Sequence, residues 1–351
     1  MVGIEPASMT AVFCANTADR KGETWAKQLA PFDRLEFAVS DAAKGIAKAV
    51  AQVAGSRRDA ASAPALEHGL DLFHTAMEAH CVLTRHWRAA EAAWEQAEAA
   101  AVKVADAKRQ GVDARGMAQA ARAAWGKAIA SFERTERLES AWGRCRAALE
   151  LFHPDGRLND RCAAEAAIAA ALKDLTGPDW AKLRNFLNDP RSLTVLDRMN
   201  RRMASAEPRP RWREAMAWRW WLRHGRPASA ANLLIGSVRA TACRREGNEE
   251  ERESYDRVAS VLGETVRASS AVECMNSVLR MQQSRHRRMT QPMLDLKRLY
   301  WNSHPFRSGP RKDVCPYRAL GLDLTTFDFW TLLQTDPEEL AQRLSTTRNP
   351  E

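Results

Sequence analysis

The segment SSAVECMNSVLR (269–280) carries three polar side chains that together could contact a metal ion and a phosphate backbone. At about 100° per residue of an α-helix, Glu273, Asn276 and Arg280 fall along one edge. A carboxylate is a ligand for a divalent cation, and amide and guanidinium groups donate to phosphate oxygens. The alternative is an ordinary amphipathic helix whose polar side lies in solvent. In either case the apolar face predicted to pack on a core consists of Val272, Met275, Val278 and Leu279.

Asp41 lies between an apolar segment and a helical one. LEFAVS (35–40) has the composition of a strand, and AAKGIAKAVAQVA, which follows Asp41, has apolar residues at helical spacing. An aspartate in this position caps a helix. Functional groups also gather at the carboxyl ends of strands in α/β sheets, where a carboxylate could hold Mg²⁺. The sequence leaves both roles open.

Asp71 and His74 stand three residues apart in DLFH, where a fourth short strand is predicted to end. A single histidine in this context is more often a core or capping residue than a ligand. A zinc site is not indicated, because no second histidine or cysteine pair lies nearby at ligand spacing. The pair is therefore a candidate auxiliary site only.

The elements that would position these residues differ along the chain. Residues 1–74 alternate strand-like and helix-like segments, which indicates an α/β layer architecture. Residues 75–268 are rich in alanine and predict a long all-helical block, with no fixed repeat. Residues 269–343 again mix helix-like and loop-like segments, and the composition of 344–351 predicts a disordered tail. The predicted strands are 2–6, 11–17, 35–40 and 69–73, and the chain as a whole is predicted to be mostly helical.

Aromatic residues at helical spacing predict buried faces in the helical block. One set is Trp87, Trp94 and Val102, and a second is Trp125 with Phe132. In AWRWWLRHGRP, Trp218 and Trp221 can share a buried face, which places Trp220 at a rim. The alternative for Trp220, which has arginines nearby, is to stack on an unpaired DNA base.

The charge balance favours a polyanionic partner. Of the 351 residues, 53 are lysine or arginine and 44 are acidic, which gives a formal net charge of +9. Residues 280–312 concentrate nine basic residues and one acid. The seven cysteines form no C-x-x-C pair, and the chain has neither an apparent signal peptide nor an apolar run long enough to cross a membrane. These features predict reduced thiols, a cytoplasmic location and no membrane partner.

Together these segments resemble the catalytic region of bacterial insertion-sequence transposases of the DDE class. AVSDAAKGIAKAV is similar to the segment that ends in the second catalytic aspartate, and DLFH to a C/D-x-x-H motif. SSAVECMNSVLR is similar to the helix with the catalytic glutamate. YWNSHPFRSGPRKDVCPYRALGL (300–322) is similar to the tail of these enzymes. The motifs occur in the expected order over residues 1 to about 323.

The resemblance implies a ribonuclease-H-like α/β sheet core interrupted by a large all-α insertion. It implies that Asp41 and Glu273 are catalytic and bind Mg²⁺ or Mn²⁺, if the site is complete. It also implies DNA, as transposon ends and target, as the partner, and it leaves a homo-oligomer open. The residues expected to contact DNA are Asn276, Arg280, Arg285, Arg287, Arg288, Lys297, Arg307, Arg311, Lys312 and Trp220.

The chain departs from the family pattern at its start. The first catalytic aspartate of the family lies on the first strand of the fold, whereas VGIEP (2–6) resembles the second strand. Glu5, Asp19 and Asp33 do not occur in a matching context. The expectation is therefore a transposase-derived chain truncated at its N-terminus, with a core in 1–74 and 269–343. The alternative is an inactive, basic helical protein that binds DNA or another subunit.

Overall fold

A computed structural model describes residues 1–60, 64–224, 248–267, 269–283, 289–309, 311–322, 324 and 328–346. The described chain is mostly helical, as the sequence predicts, and its strands form two two-stranded sheets. It divides into two compact units. Met1–His68 and Ala268–Glu351 form one, which we call the mixed unit, and Gly69–Arg267 form the other, which we call the helical unit.

The elements are numbered in chain order. The strands are β1 (Val2–Glu5), β2 (Thr10–Cys14), β3 (Phe37–Ser40) and β4 (Glu67–Leu70). The first helices are α1 (Gly22–Leu29), α2 (Lys44–Ala60), α3 (Leu72–Arg109), α4 (Arg115–Ala148), α5 (Arg161–Leu172), α6 (Ala181–Leu187), α7 (Thr194–Ala206) and α8 (Pro210–His224). The others are α9 (Asn248–Gly263), α10 (Ser270–Gln283), α11 (Gln291–Ser303), α12 (Pro316–Ala319), α13 (Phe329–Gln334) and α14 (Pro337–Thr346).

In the mixed unit, β1 and β2 form an antiparallel hairpin with a bulge after Gly3. Strands β3 and β4 form the second two-stranded sheet. An apolar cluster joins β2 to α1 and α2 through Phe13, Leu29 and Val50. Arg57, almost fully buried, donates to the carbonyl oxygens of Phe32 and Leu35. The first part of the chain is thereby fixed against one side of the hairpin.

A second apolar cluster of the mixed unit contains the hairpin and two helices from the other end of the sequence. Ala11 and Cys14 of β2 pack against Met275 and Leu279 of α10 and Leu294 of α11. The helix predicted around residues 270–283 therefore forms as expected, and its predicted apolar face is the one that packs.

In the helical unit, α3 and α4 form a long antiparallel hairpin, and α5 packs on α4. The helices α7, α8 and α9 pack on one another. Gly156, with a φ of +80°, lets the turn before α5 lie close to the ring of Trp218, because a Cβ there would come within 2.6 Å of Trp218 Cδ1. The alanine-rich composition predicted this helical content correctly.

Three local expectations are wrong. The fourth strand is Glu67–Leu70, not 69–73, because Asp71 ends it by capping α3, in which Leu72 and Phe73 are already helical. The predicted disordered tail begins too early, since α14 extends to Thr346; residues 347–351 lie outside the described residues. The aromatic stripe of the helical hairpin is not core, because Trp94 is 40% exposed and Val102 is 58% exposed.

Candidate functional site

Helix α10 presents the polar edge predicted from its sequence. Glu273 is 29% exposed and accepts hydrogen bonds from the Asn276 amide at 3.2 Å and from Arg280 Nη2 at 3.4 Å. On the opposite side, Met275 and Leu279 are buried against β2. The carboxylate, the amide and the guanidinium thus form one connected cluster on a helix that is fixed to the β1–β2 hairpin.

Asp41 follows the last residue of β3, as predicted, and its side chain is exposed. Its Oδ1 accepts the backbone N–H of Ala43 at 3.2 Å, immediately before α2 begins. The preceding Ser40 donates to the Asp41 carbonyl oxygen and contacts His68 Nε2 on β4 at 2.8 Å. Asp41 therefore orders the start of α2, and this local role leaves its carboxylate accessible to a ligand.

Asp71 and His74 form a close pair in the helical unit. Asp71 is buried and caps α3, accepting the N–H of Phe73 at 2.8 Å, and its Oδ2 lies 2.5 Å from His74 Nδ1. The ring of His74 is 43% exposed. The capping residue is thus Asp71 and not the histidine, and an auxiliary role of the pair at a DNA site stays a prediction.

Metal binding by Asp41 and Glu273 stays a prediction. Asp41 and Glu273 provide oxygen ligands of the kind that Mg²⁺ binds. However, the described ranges contain no group of three or more histidine, cysteine, aspartate or glutamate side chains that could hold a metal ion. We therefore derive no metal-dependent step from these residues.

The basic C-terminal part of the mixed unit is held on the β1–β2 hairpin by α11. The buried amide of Asn302 accepts from Ala11 N–H at 2.8 Å and donates to Ala11 C=O at 3.0 Å. Nearby, Trp301 Nε1 donates to Met9 C=O, and Gln291 Nε2 donates to Cys14 C=O. The side chains of α11 thereby cover the outer edge of β2.

The residues expected to bind DNA occupy different environments. Arg311 donates to the carbonyl oxygens of Pro6 and Ala7, so it anchors the tail to the hairpin turn. Arg307 and Lys312 are exposed, Lys297 is half-buried, and Arg280 is 70% exposed. The loop around them is closed by hydrogen bonds between Phe306 and the backbone at 313–314. Arg285, Arg287 and Arg288 lie outside the described residues.

Trp220 takes the rim position that the sequence predicted. Trp218 and Trp221 are buried, whereas Trp220 is half-buried. Its ring stacks between Phe152, with centroids 6.0 Å apart, and His224, with centroids 4.6 Å apart. A role for Trp220 in stacking on an unpaired base stays a prediction.

Sequence reasoning missed the anchoring role of Asn302 and Trp301. Both lie in the segment that the resemblance had marked, but their partners, Ala11 and Met9, are about 290 residues away. A polar residue without an obvious partner beside an aromatic one gives no signal of such a contact in a single sequence. The six described cysteines are free thiols.

Comparison with protein families, with curated proteins and with solved structures found no match. Among the described helices, none is long and apolar enough to cross a membrane.

Proposed function

We propose that this chain is a DNA-binding protein related to DDE transposases, with Asp41 and Glu273 facing the DNA. The main support for this proposal is that both residues belong to the same compact unit, although they are 232 positions apart in the sequence. Asp41 follows a strand, and Glu273 lies on a helix packed against the β1–β2 hairpin. In this proposal the mixed unit corresponds to a ribonuclease-H-like core, and the helical unit to its insertion.

The basic segment, residues 280–312, supports DNA as the partner. Asn302 and Arg311 fix this segment to the β1–β2 hairpin, on which the Glu273 helix also packs. Lysine and arginine side chains on such a surface neutralise phosphates and release counterions, which favours binding without strong sequence preference. Asn276 and Arg280 then donate to the same backbone from α10.

Strand cleavage and strand transfer, the reaction the resemblance implies, would need a further carboxylate beside Asp41 and Glu273. The hairpin offers a place for the strand that would carry it. Val2 pairs with Cys14, and Ile4 pairs with Ala11. The carbonyl oxygens of Cys14 and Ala11 point to the outer side of β2, where they accept hydrogen bonds from side chains of α11. These are therefore non-hydrogen-bonded pairs, in which the N–H and C=O groups of the two opposed residues point away from each other. The backbone groups of Val2 and Ile4 therefore point to the side of β1 on which no described strand pairs.

A second candidate is a catalytically inactive protein that binds DNA or another subunit. Both candidates share the basic DNA-binding surface.

DNA binding is tested by measuring the affinity of the full chain for a fluorescent duplex across a salt series. Each phosphate contact contributes a slope of about −0.9 in the logarithm of the binding constant against that of the salt concentration. Changing Lys297, Arg307 and Lys312 together to alanine is expected to weaken binding and flatten the slope by about 2–3. The matched control changes Lys103, Lys108 and Lys127, exposed on the helical hairpin, to alanine.

The control variant carries the same loss of charge but should leave the slope close to that of the wild type. Equal losses in the two variants would show that only net charge matters, and the proposed surface would be wrong. If the wild type does not bind duplex DNA at low salt, DNA binding is rejected for both candidate functions.

A further inference from the structure

The helical hairpin of α3 and α4 has an unusual seam in its outer part. Between positions 84 and 134, the residues that are buried are all alanines: Ala90, Ala97, Ala107, Ala114, Ala121 and Ala128. Small side chains at a helix–helix contact allow the two axes to come close. The seam therefore has no room for large apolar groups, and these must lie beside it.

The two aromatic pairs of this part of the hairpin lie on one flank of the seam. The ring of Trp87 meets that of Phe132 with centroids 5.1 Å apart, and Trp94 meets Trp125 at 4.9 Å. Ile129 lies between Trp125 and Phe132 in the helical spacing of α4. Trp94 is 40% exposed, Phe132 is 39% exposed and Ile129 is 48% exposed. We call these five residues the aromatic flank.

The opposite flank of the seam carries mostly small side chains, namely Ala93, Ala100, Ala124 and Ser131, with Met117 one heptad before Ala124. Aromatic residues clustered on one side of a surface are typical of protein interfaces, where they supply most of the binding energy. Exposed Glu91 lies between Trp87 and Trp94 on this flank, so the exposed apolar surface is concentrated at Trp94, Ile129 and Phe132. A cluster of exposed apolar side chains on a two-helix hairpin marks an interaction site.

The charges that border the aromatic flank match those of a second copy. The two aromatic pairs fix the antiparallel register, so that Glu98 lies at the height of residue 121 and Arg88 at the height of residue 131. When two hairpins face each other across a twofold axis along their length, α3 of one faces α4 of the other at equal height. Glu98 then lies opposite Arg122 of the second copy, and Arg88 opposite Glu133. All four side chains are exposed.

We propose that the aromatic flank is a homodimer interface, in which two α3–α4 hairpins pack side by side as a four-helix arrangement. Trp94, Ile129 and Phe132 form its apolar centre. The Glu98–Arg122 and Arg88–Glu133 pairs border it and select this orientation, because complementary charges specify register more than they add affinity. The proposal does not depend on DNA binding.

Sedimentation velocity of the full chain at micromolar concentration tests this interface. The wild type is expected at twice the chain mass of 39.2 kDa, and Ile129→Glu at the mass of one chain. Because Ile129 is half exposed, the variant should fold, which circular dichroism checks. The matched control is Leu333→Glu, a substitution at a position of α13 that is 44% exposed in the mixed unit, and it should remain dimeric.

A charge exchange tests the partner and the orientation. Glu98→Arg and Arg122→Glu should each raise the dissociation constant severalfold, and the double variant should restore it toward the wild-type value. A monomeric wild type, or an Ile129→Glu variant that remains a dimer, would overturn the proposal. Two weakened single variants without recovery in the double variant would overturn the twofold orientation.

Discussion

Glu207 is a buried carboxylate whose ion pairs hold three helices of the helical unit together. Its side chain is 1% exposed and follows the end of α7. Arg209 donates to both carboxylate oxygens, at 2.8 and 2.9 Å. From α9, Ser254 donates at 2.6 Å and Arg257 at 3.2 Å. A buried charge needs such partners, because an unpaired one would be strongly destabilising.

The hydrogen bonds from Arg209 lower the pKa of Glu207 to about 2, against an ordinary value of 4.5. A lowered folded-state pKa means that this stabilisation is fully present above about pH 4.5 and is lost as the pH falls toward 2. We expect Glu207→Gln to reduce the free energy of unfolding at pH 7 by about 1.5–3 kcal/mol. The difference from the wild type should shrink below pH 4.5 in denaturant titrations.

The control for this prediction is Glu250→Gln. Glu250 also pairs with Arg209 but is 57% exposed, so its removal should cost less than about 1 kcal/mol. Equal effects of the two substitutions, or a difference between Glu207→Gln and the wild type that does not change with pH, would contradict the role assigned to Glu207.

Individual residues were predictable where their partners are local. Glu273, Asn276 and Arg280 contact one another because helical spacing brings them together, and the sequence alone gives that spacing. Glu207 gave no such signal, because two of its partners come from α9, about 50 residues further along the chain.

At the scale of elements, α11 connects the two chain segments of the mixed unit, Met1–His68 and Ala268–Glu351. The Asn302 amide pairs with both backbone groups of Ala11 and so replaces a neighbouring strand at that point of β2. The strand edge that this helix covers was not predictable from the sequence, because Asn302 and Ala11 lie 291 residues apart.

Replacing Asn302 with alanine should leave the buried N–H and C=O of Ala11 unpaired. We expect a loss of about 1–3 kcal/mol in the free energy of unfolding, measured by denaturant titration. Ser303→Ala is the matched control, since the Ser303 hydroxyl bonds only within its own helix, to the Leu299 carbonyl at 2.8 Å and to the Tyr300 carbonyl at 3.5 Å. A loss no larger than that of the control would mean that Asn302 does not anchor α11.

The helical hairpin shows how a correct element prediction can accompany a wrong burial prediction. The periodicity of Trp87, Trp94, Trp125 and Phe132 did place them on shared faces. However, the spacing of aromatic residues does not say whether they or the neighbouring alanines form the seam. In this hairpin the alanines are buried and Trp94 and Phe132 remain exposed, because only small side chains fit between closely packed helices.

At the scale of the whole molecule, the chain folds into two units whose limits fall at residues 68/69 and 267/268. The change of composition along the sequence predicted boundaries at 74/75 and 268/269. The boundaries could be predicted to within a few residues because alanine-rich helices differ in composition from short strands. The site could be approached only as separate motifs, since no single-sequence pattern specifies which distant residues belong to one unit.

The central claim is that Asp41 and Glu273 both face bound DNA, and neutralising them tests it most directly. Carboxylates beside a phosphate backbone repel it, so Asp41→Asn and Glu273→Gln should each tighten duplex binding severalfold without added metal. Asp33→Asn, an exposed acid of the same unit, is the control and should change little. Affinities of both variants equal to those of the wild type and the control would contradict the account.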